Sequence, residues 1–311
     1  MIVPDGWDDI MTKWTAADLP DMSGRTVVMT GATGGLGLIA TRDLARVGAR
    51  VVLAVRNVAK GEEAAKTIPG RTEVRRLDVS SLESVRTFAA EWSGDIDVLI
   101  NNAGIMQVPL ARTADGFELQ MATNYFGPFA LTNLLLPHIT DRVVMVSSQL
   151  HRIGHVRLDD LNWEKRKYNE LGAYCDSKLD DLLFAVELQR RLTASGSSVR
   201  SIIAHPGIAT TSLASHARGI SGKINNFSFF LNDAEHGALP LLYAATQDVP
   251  GASYVGPNGL ASIKGYPKVR KPSGAARNPA TARALWDVSA SLTGTGSQSS
   301  AARPTTSGEE S

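Results

Sequence analysis

Cysteine is nearly absent from this sequence, because Cys175 is the only one among 311 residues. One cysteine cannot form an intramolecular disulfide, and one is too few for a cysteine-rich zinc site. The sequence therefore excludes small domains stabilised by disulfides and small domains stabilised by zinc bound to cysteines. Such a chain suits a reducing compartment. We therefore expect a cytoplasmic protein in which Cys175 is a small, buried, apolar side chain.

Long hydrophobic runs are also missing. No window approaches the roughly 20 apolar residues that a membrane-spanning helix needs. Residues 1–22 carry five aspartates and lack the basic and apolar regions of a signal peptide. The sequence therefore predicts neither a membrane span nor secretion.

The sequence also lacks an excess of charge of either sign, because 32 basic residues nearly balance 31 acidic ones and the net charge is +1. No global field would draw the chain to nucleic acid or anionic lipid, so we expect a small-molecule partner and no nucleic acid. Six histidines are present without an HExxH pattern, and no metal is expected. His151 is expected to make ordinary hydrogen bonds rather than to contact substrate.

Apolar runs of strand length alternate with helix-like segments, which indicates right-handed βαβ units. The expected fold class is α/β: a single-domain, Rossmann-type, doubly wound parallel sheet with helices on both faces. The predicted strands cover residues 25–30, 50–56, 73–77, 96–102, 142–148 and 199–207.

Three parts of the chain are expected to differ in character. Residues 1–22 form an N-terminal extension, residues 23–290 the Rossmann domain, and residues 291–311 a disordered tail rich in small polar residues. Within the domain, residues 211–234 predict a mobile flap. Its aromatic patch, from Phe227 to Phe230, is expected to line a substrate pocket, with a subunit contact as the alternative.

A glycine-rich turn follows the first predicted strand and opens a helix. Glycines allow the backbone to turn tightly and approach a pyrophosphate, whose charge the helix N-terminus favours. The alternative is a turn that uses glycine for steric reasons alone. The residues predicted to contact a nucleotide are Gly31, Thr33, Gly35, Leu36 and Gly37.

The end of the second predicted strand bears on the choice of cofactor. An NAD site usually has an acidic residue about 20 positions beyond the glycine turn, to bind the adenosine ribose. No acid occurs in residues 44–61, and Arg56 stands at the strand end with Lys60 nearby. A guanidinium there suits a 2′-phosphate, so NADP(H) is favoured over NAD(H). A solvated strand-end charge is the alternative interpretation of Arg56.

Tyr174 and Lys178 stand four residues apart in a segment of helical periodicity, which places them on one face. The ammonium favours the phenolate and so acts to lower the pKa of the tyrosine. Such a phenol can exchange a proton with an alcohol or ketone. The pair alone is a weak signal, because YxxxK spacing is common on helices.

Several motifs in one order carry a stronger signal, and together they resemble the short-chain dehydrogenase/reductase family from about Gly24 to Leu285. The residues that carry the resemblance are the glycine turn, Asn101 to Gly104, Asn124, Ser147 with Ser148, Tyr174 with Lys178, and Pro206 with Gly207.

The resemblance implies a role for each catalytic position. Tyr174 is the general acid or base, and Ser148, rather than Ser147, hydrogen-bonds the substrate oxygen. Lys178 binds the nicotinamide ribose and lowers the tyrosine pKa, and Asn124 supports a proton-relay water. The expected reaction is hydride transfer between the cofactor and a carbonyl or alcohol.

The resemblance also implies cofactor contacts outside the glycine turn, at Asp78, Asn102, Ala103, Gly104, Pro206, Gly207 and Thr211. Structural alternatives exist for these positions. Asp78 could cap the following helix, the asparagines could stabilise a turn, and Pro206 with Gly207 could end a strand.

The long segment between Ser148 and Tyr174 resembles the retinol-dehydrogenase-like and protochlorophyllide-reductase-like branch, which implies a bulky, apolar substrate. Lys178 is followed by Leu-Asp-Asp where that branch often has Leu-Ala-Asn, and the change is expected to affect packing rather than chemistry. The family's subunit contacts would fall on helices near residues 117–136 and 174–192, so a homodimer or homotetramer is expected.

Two other functions stay open at this point. A non-catalytic nucleotide sensor can retain this fold and abandon catalysis, although it would usually lack part of the catalytic set. A reductase of a ring double bond shares the same motifs in one branch of the family.

Overall fold

The computed structural model describes residues 13–207 and 234–296. Its centre is one eight-stranded sheet with the order β3-β2-β1-β4-β5-β6-β7-β8. All neighbouring strands pair in parallel except β7 and β8, which are antiparallel. The strands are β1 (Thr26–Thr30), β2 (Arg50–Val55), β3 (Arg71–Arg76), β4 (Ile96–Asn101), β5 (Ile139–Val146), β6 (Arg200–Ala204), β7 (Tyr254–Pro257) and β8 (Pro267–Arg270).

Helices cover both faces of the sheet and bury two apolar clusters. Leu44 and Leu242 belong to the cluster on one face, and Phe129 and Leu183 to the cluster on the other. The helices are α1 (Gly35–Arg46), α2 (Val58–Lys66), α3 (Leu82–Ala90), α4 (Leu119–Met121), a π-helical turn (Ala122–Phe126), α5 (Gly127–Leu135), α6 (Glu170–Ala194), α7 (Ala234–Thr246) and α8 (Pro279–Thr293). Helices α1, α2 and α7 lie on the first face, and α3, α5, α6 and α8 on the second.

The doubly wound α/β fold predicted from the sequence is confirmed. All six predicted strands are present, with ends that differ by a few residues: β5 begins at Ile139 and β6 ends at Ala204. The sheet is parallel as predicted except at one edge, where β8 runs antiparallel to β7. These two strands have four residues each and contain Gly256, Pro257 and Pro267, so they lack the apolar run typical of a buried strand.

The strand order reverses between β1 and β4. The connections that follow these two adjacent strands therefore run to opposite faces of the sheet. The carboxyl ends of β1 and β4 thus open a crevice, which is where ligands bind in sheets of this kind. Thr30, Asn101 and Val146 end β1, β4 and β5 at this edge. The segments that follow these three residues form the candidate site.

Helix α8 lies across α6 and α5 on the second face. The indole of Trp286 stacks on Phe184, with ring centroids 5.6 Å apart, and meets Phe129 edge-on at 5.0 Å. Residues 208–233 and 297–311, which hold nearly all of the predicted flap and most of the predicted tail, lie outside the described residues. Within the described ranges, no helix is long and apolar enough to cross a membrane.

Candidate active site

The glycine turn joins β1 to α1. Gly31 and Gly35 have φ angles of +67° and +52°, in the left-handed region that favours glycine. Gly34 occupies the N-cap position of α1 and gives no side-chain cap. The first N–H groups of α1 are therefore open to an external acceptor, and a helix N-terminus of this kind suits a phosphate.

Close packing explains two of the glycines. A Cβ added to Gly31 would lie 2.8 Å from the Cα of Ala103, and one added to Gly37 would lie 2.3 Å from the carbonyl oxygen of Gly31. Both distances are shorter than real contacts allow. Thr33 is exposed and Leu36 is half-buried, so both border the open side of the turn.

The segment after β4 is tied directly to this turn. The Asn102 side-chain amide donates to the carbonyl oxygens of Thr30 and Gly31, at 2.9 and 3.2 Å. The Thr30 hydroxyl accepts hydrogen bonds from the backbone N–H groups of Asn102 and Ala103, each at 3.0 Å. Thr30 was not singled out in the sequence, although its place as the last strand residue before the glycines is a usable signal.

Arg56 is exposed and immediately follows β2 at the same edge of the sheet. Within residues 13–207 and 234–296 its side chain has no hydrogen-bond or ion-pair partner. Lys60 is also exposed, in the first turn of α2, where Asn57 caps the helix by accepting from the Lys60 N–H at 3.0 Å. A guanidinium and an ammonium are therefore both open to an anion at this end of the crevice.

Asp78 lies in the segment between β3 and α3. One of its carboxylate oxygens accepts from the backbone N–H and the hydroxyl of Ser80, at 3.0 and 2.6 Å. The N-cap of α3 is Ser81, whose hydroxyl accepts from the Ser84 N–H. The alternative in which Asp78 caps this helix is therefore wrong.

Tyr174, Lys178 and Ser148 come together where β5 meets α6. The Lys178 Nζ lies 5.9 Å from the centre of the Tyr174 ring and donates to the Val146 carbonyl at 3.0 Å. Ser148 is half-buried and forms a side-chain hydrogen bond with Tyr174. Ser147 is fully engaged elsewhere, because its hydroxyl donates to the Lys178 carbonyl at 2.8 Å. One phenol, one hydroxyl and one ammonium thus face the crevice.

Burial raises the pKa of Tyr174 above its ordinary value. Lys178 and the hydrogen bond with Ser148 act in the opposite direction and lower that pKa. Lys178 lowers the pKa of Tyr174, as the sequence predicts, but in the folded protein burial raises that pKa by more. For Lys178 itself, burial acts to lower the pKa, whereas Asp181 and Tyr174 raise it above its ordinary value. Lys178 therefore stays protonated.

Asn124 lies in the π-helical turn and is almost fully buried. Its amide nitrogen donates to the Ile105 carbonyl at 3.0 Å and to the Ser177 hydroxyl at 2.9 Å, and its oxygen accepts from the Ile105 N–H at 2.8 Å. The residue thus bridges the segment after β4 to helix α6. π-Helical turns of this type occur frequently at functional sites.

Gly104 lies within this group as well, since a Cβ added to it would stand 3.3 Å from the Asn124 oxygen and 3.8 Å from the Lys178 Nζ. Pro206 and Gly207 follow β6, and Gly207 has a φ of +75°. A Cβ on Gly207 would lie 2.2 Å from the Ile263 carbonyl oxygen, so the chain turns here against a neighbouring segment. Thr211 lies outside the described residues.

His151 is fully buried beside Ser148, in the short helical segment that follows β5. Its Nδ1 lies 2.7 Å from the Ser148 carbonyl oxygen, and its Nε2 accepts from the Ser273 N–H at 3.3 Å. Both ring nitrogens thus make ordinary hydrogen bonds to the backbone. In the part of the chain that the structure describes, no cluster of three or more His, Cys, Asp or Glu side chains is arranged to hold a metal ion.

The chain that carries this crevice matches a known family. The family model for short chain dehydrogenases matches residues 25–219. Human retinol dehydrogenase 13 is 40% identical over 309 residues, which cover 92% of this chain and 89% of the relative. Bovine retinol dehydrogenase 12 is 40% identical over 288 residues, covering 87% of each.

Solved structures agree with this match. An uncharacterized protein from Mycobacterium paratuberculosis is 52% identical and superposes with a TM-score of 0.82, over 91% of this chain and 98% of that one. The chain therefore belongs to the short-chain dehydrogenase/reductase family. The retinol-dehydrogenase-like branch predicted from the sequence is confirmed by the curated relatives. As a member of this family, the protein is an NAD(P)-dependent oxidoreductase that acts on an alcohol or a carbonyl.

Proposed function

We propose that this protein is an NADP(H)-dependent oxidoreductase that interconverts a bulky, apolar alcohol and its carbonyl, with Tyr174 as the general acid or base. The observation that carries the proposal is the Ser148–Tyr174–Lys178 group at the carboxyl end of β5, in the same crevice as the glycine turn. A group that can bind an oxygen and exchange a proton thus stands beside a site built for a dinucleotide.

The residues present fit the cofactor. The uncapped N-terminus of α1 suits the pyrophosphate, and the turn is packed so closely that side chains at Gly31 and Gly37 would collide with backbone. Asn102 to Gly104 would border the cofactor beyond the pyrophosphate, Lys178 would hold the nicotinamide ribose, and Asp78 would lie near the adenine. Pro206, Gly207 and Thr211 would surround the nicotinamide.

The proposed chemistry divides the work between cofactor and protein. The nicotinamide supplies or accepts the hydride. In the direction of reduction, Ser148 donates a hydrogen bond to the substrate oxygen, and Tyr174 gives that oxygen its proton as the carbonyl carbon accepts the hydride. Lys178 keeps a positive charge beside the phenol, which stabilises the phenolate left behind. Asn124 would support the water that returns the proton.

The preference for NADP(H) is supported by Arg56 and Lys60. Both are exposed at the carboxyl end of β2, where the adenosine ribose would lie, and Arg56 has no competing partner in the described ranges. A charge-assisted, bidentate contact with the 2′-phosphate fits this position.

The preference for an apolar substrate is supported by the curated relatives, whose names give retinol, an apolar alcohol, as the compound on which they act. The exposed side chains Leu110, Ile153 and Leu158 are apolar and belong to the segments after β4 and β5, and the apolar Leu171 is exposed in the first turn of α6. Side chains of this kind are suited to the entrance of an apolar pocket. A cytoplasmic location stays a prediction that rests on the single cysteine.

A homodimer or homotetramer stays a prediction of the family resemblance. Helix α8 covers part of α5 and α6, with Trp286 stacked on Phe184, so the surface of these helices that is open to a second subunit is reduced. Light scattering of the purified protein measures the assembly directly.

The experiment that tests the proposed function pairs binding with turnover. Fluorescence titration with NADPH and NADH is expected to show tighter binding of NADPH. Retinal and a short, polar aldehyde are then compared as substrates with NADPH, and retinal is expected to give the higher kcat/KM. Tighter binding of NADH would overturn the cofactor proposal, and faster reduction of the polar aldehyde would overturn the substrate proposal.

A further inference from the structure

Two buried carboxylates follow the lysine of the site along α6. Asp180 and Asp181 are both fully buried. The Lys178 Nζ donates to Asp181 Oδ2 at 2.9 Å, and the ion pair has almost no contact with solvent, with side-chain exposures of 7% and 0%. The sequence predicts only a change of packing at this position, so the ion pair is an unexpected feature.

Asp181 has no other task that the structure shows. Its second oxygen, Oδ1, is buried without a hydrogen-bond partner among the described residues. A buried ion pair is a weak source of stability, because removing two charges from water costs about as much as their attraction returns. The position of Asp181 is therefore better explained by what it does to Lys178 than by what it adds to the fold.

The Lys178 ammonium is held between two hydrogen-bond acceptors that lie on different secondary-structure elements. One is Asp181, a turn further along α6, and the other is the Val146 carbonyl at the end of β5. These contacts occupy two of the three ammonium hydrogens and fix the nitrogen 5.9 Å from the centre of the Tyr174 ring. An amide oxygen at position 181 can accept from the ammonium as the carboxylate oxygen does, so the negative charge can be removed without releasing Lys178.

We propose that Asp181 is a positioning residue for the reaction, whose carboxylate holds the Lys178 ammonium beside Tyr174 and opposes its charge, so that Tyr174 gives up its proton less readily. This inference rests on the proposed function, because it assigns Tyr174 the proton transfer. Lys178 and Asp181 thus act on the phenol as a pair of opposite sign.

The charges that face Tyr174 agree with this assignment. From α6, Lys178 lowers the tyrosine pKa, whereas Asp181 and Cys175 raise it. From the segment after β5, the Ser148 hydrogen bond lowers it. Burial raises the pKa of Asp181 itself to about 7, against the attraction of Lys178. The negative charge beside Lys178 is therefore present above neutral pH and lost below it.

The test replaces the carboxylate by its uncharged isostere in Asp181→Asn. The phenolate of Tyr174 is titrated by ultraviolet difference absorbance in the ligand-free protein, with the same protein carrying Tyr174→Phe as the blank. Removal of the negative charge leaves Lys178 unopposed, so the midpoint is expected to fall by about one pH unit. In carbonyl reduction, which needs the protonated phenol, the loss of kcat with rising pH should begin lower by the same amount.

Asp180→Asn is the matched control. Asp180 is the neighbouring buried carboxylate, and both of its oxygens lack a hydrogen-bond partner among the described residues, so it makes no hydrogen bond with Lys178. This variant should leave the Tyr174 midpoint where it is. Asp181→Ser removes the charge and the holding contact together, so the ammonium is no longer fixed beside the phenol and the midpoint should fall less than in Asp181→Asn.

An unchanged midpoint in Asp181→Asn would overturn the inference, and so would an equal shift in Asp180→Asn or a shift in Asp181→Ser as large as that in Asp181→Asn. The titration needs neither cofactor nor substrate, so it is independent of turnover. Failure of the wild-type protein to bind NADPH or reduce a carbonyl would count against the proposed function instead, which keeps the two failures distinguishable.

Discussion

The side-chain amide of Asn102 lies 3.2 Å from the carbonyl oxygen of Gly31 and donates a hydrogen bond to it. This contact joins the segment after β4 to the glycine turn after β1, across the crevice between the two strands. Gly37 packs against both groups, since a Cβ there would lie 2.3 Å from the Gly31 oxygen and 2.5 Å from the Asn102 nitrogen. The glycine turn is therefore held in shape by contacts that leave no room for a side chain.

Gly37→Ala should damage both the fold and the cofactor site. The added methyl collides with backbone, which does not yield as a flexible side chain would, so the free energy of unfolding should fall by about 1–3 kcal/mol. NADPH affinity should fall with it, because the turn must open to relieve the collision. Urea unfolding and fluorescence titration measure the two effects.

Gly34→Ala is the control for the stability measurement. Gly34 has an extended backbone with a φ of −173°, and a Cβ there would meet nothing within 4 Å. The Gly34→Ala variant loses only the preference of an N-cap for glycine over alanine, so its unfolding free energy should fall by about 1 kcal/mol or less, and by less than that of Gly37→Ala. Equal destabilisation by both alanines would contradict the packing argument.

Arg56→Ala should weaken NADPH binding by about tenfold or more, the cost of one charge-assisted hydrogen bond, and leave NADH binding nearly unchanged. Arg71→Ala makes the same change of net charge at the amino end of the neighbouring strand β3, away from the carboxyl end of β2 that Arg56 follows, and Arg71 is exposed there. This control should leave both affinities as they are. An equal loss of NADPH and NADH affinity in Arg56→Ala would argue against a contact with the 2′-phosphate.

His205 should make the fold sensitive to mild acid. Burial, with the nearby charges of His151, Arg152 and Arg270, lowers its pKa from 6.5 to about 3. Below pH 6.5 His205 binds a proton in the unfolded chain but not in the folded chain. Its contribution to the free energy of unfolding is therefore fully present above that pH and is lost as the pH falls toward 3. This one group should cost about 1 kcal/mol of unfolding free energy between pH 6.5 and about pH 5.5.

This loss of unfolding free energy on acidification is measured by urea unfolding at about pH 7 and about pH 5.5, for the wild type and for His205→Gln. The variant should lose less stability on acidification, whatever its stability at neutral pH. His155→Gln, which removes an exposed histidine, should retain the full loss. The account is wrong if His205→Gln and the wild type lose the same amount.

The parts of the fold with strong sequence periodicity were predictable. Residues 25–46 combine an apolar strand, a glycine turn and an amphipathic helix, and the structure has all three. Strands β7 and β8 gave no such signal, because each has four residues that include glycine or proline. The irregular segment after Ser148 is held by distant contacts, such as Arg166 with Asp176 at 3.1 Å, which no local pattern indicates.

The candidate site was predictable as a set of residue types, but its electrostatics were not. The spacing of Tyr174 and Lys178 places them on one face of a helix, whereas the net rise of the tyrosine pKa depends on burial that only the folded chain shows. The ion pair of Lys178 with Asp181 has the i, i+3 spacing of neighbours on a helix, which was a usable signal. Whether such a pair faces solvent or the site depends on tertiary packing.

The central claim is that Tyr174 provides the proton for hydride transfer, and one comparison tests it most directly. NADPH-dependent reduction of retinal is followed for the wild type and for Tyr174→Phe, with NADPH affinity measured in parallel. The account predicts that the phenylalanine variant binds NADPH as the wild type does and loses turnover by about 10²-fold or more. A variant that retains wild-type turnover would contradict the assignment of Tyr174 as the general acid.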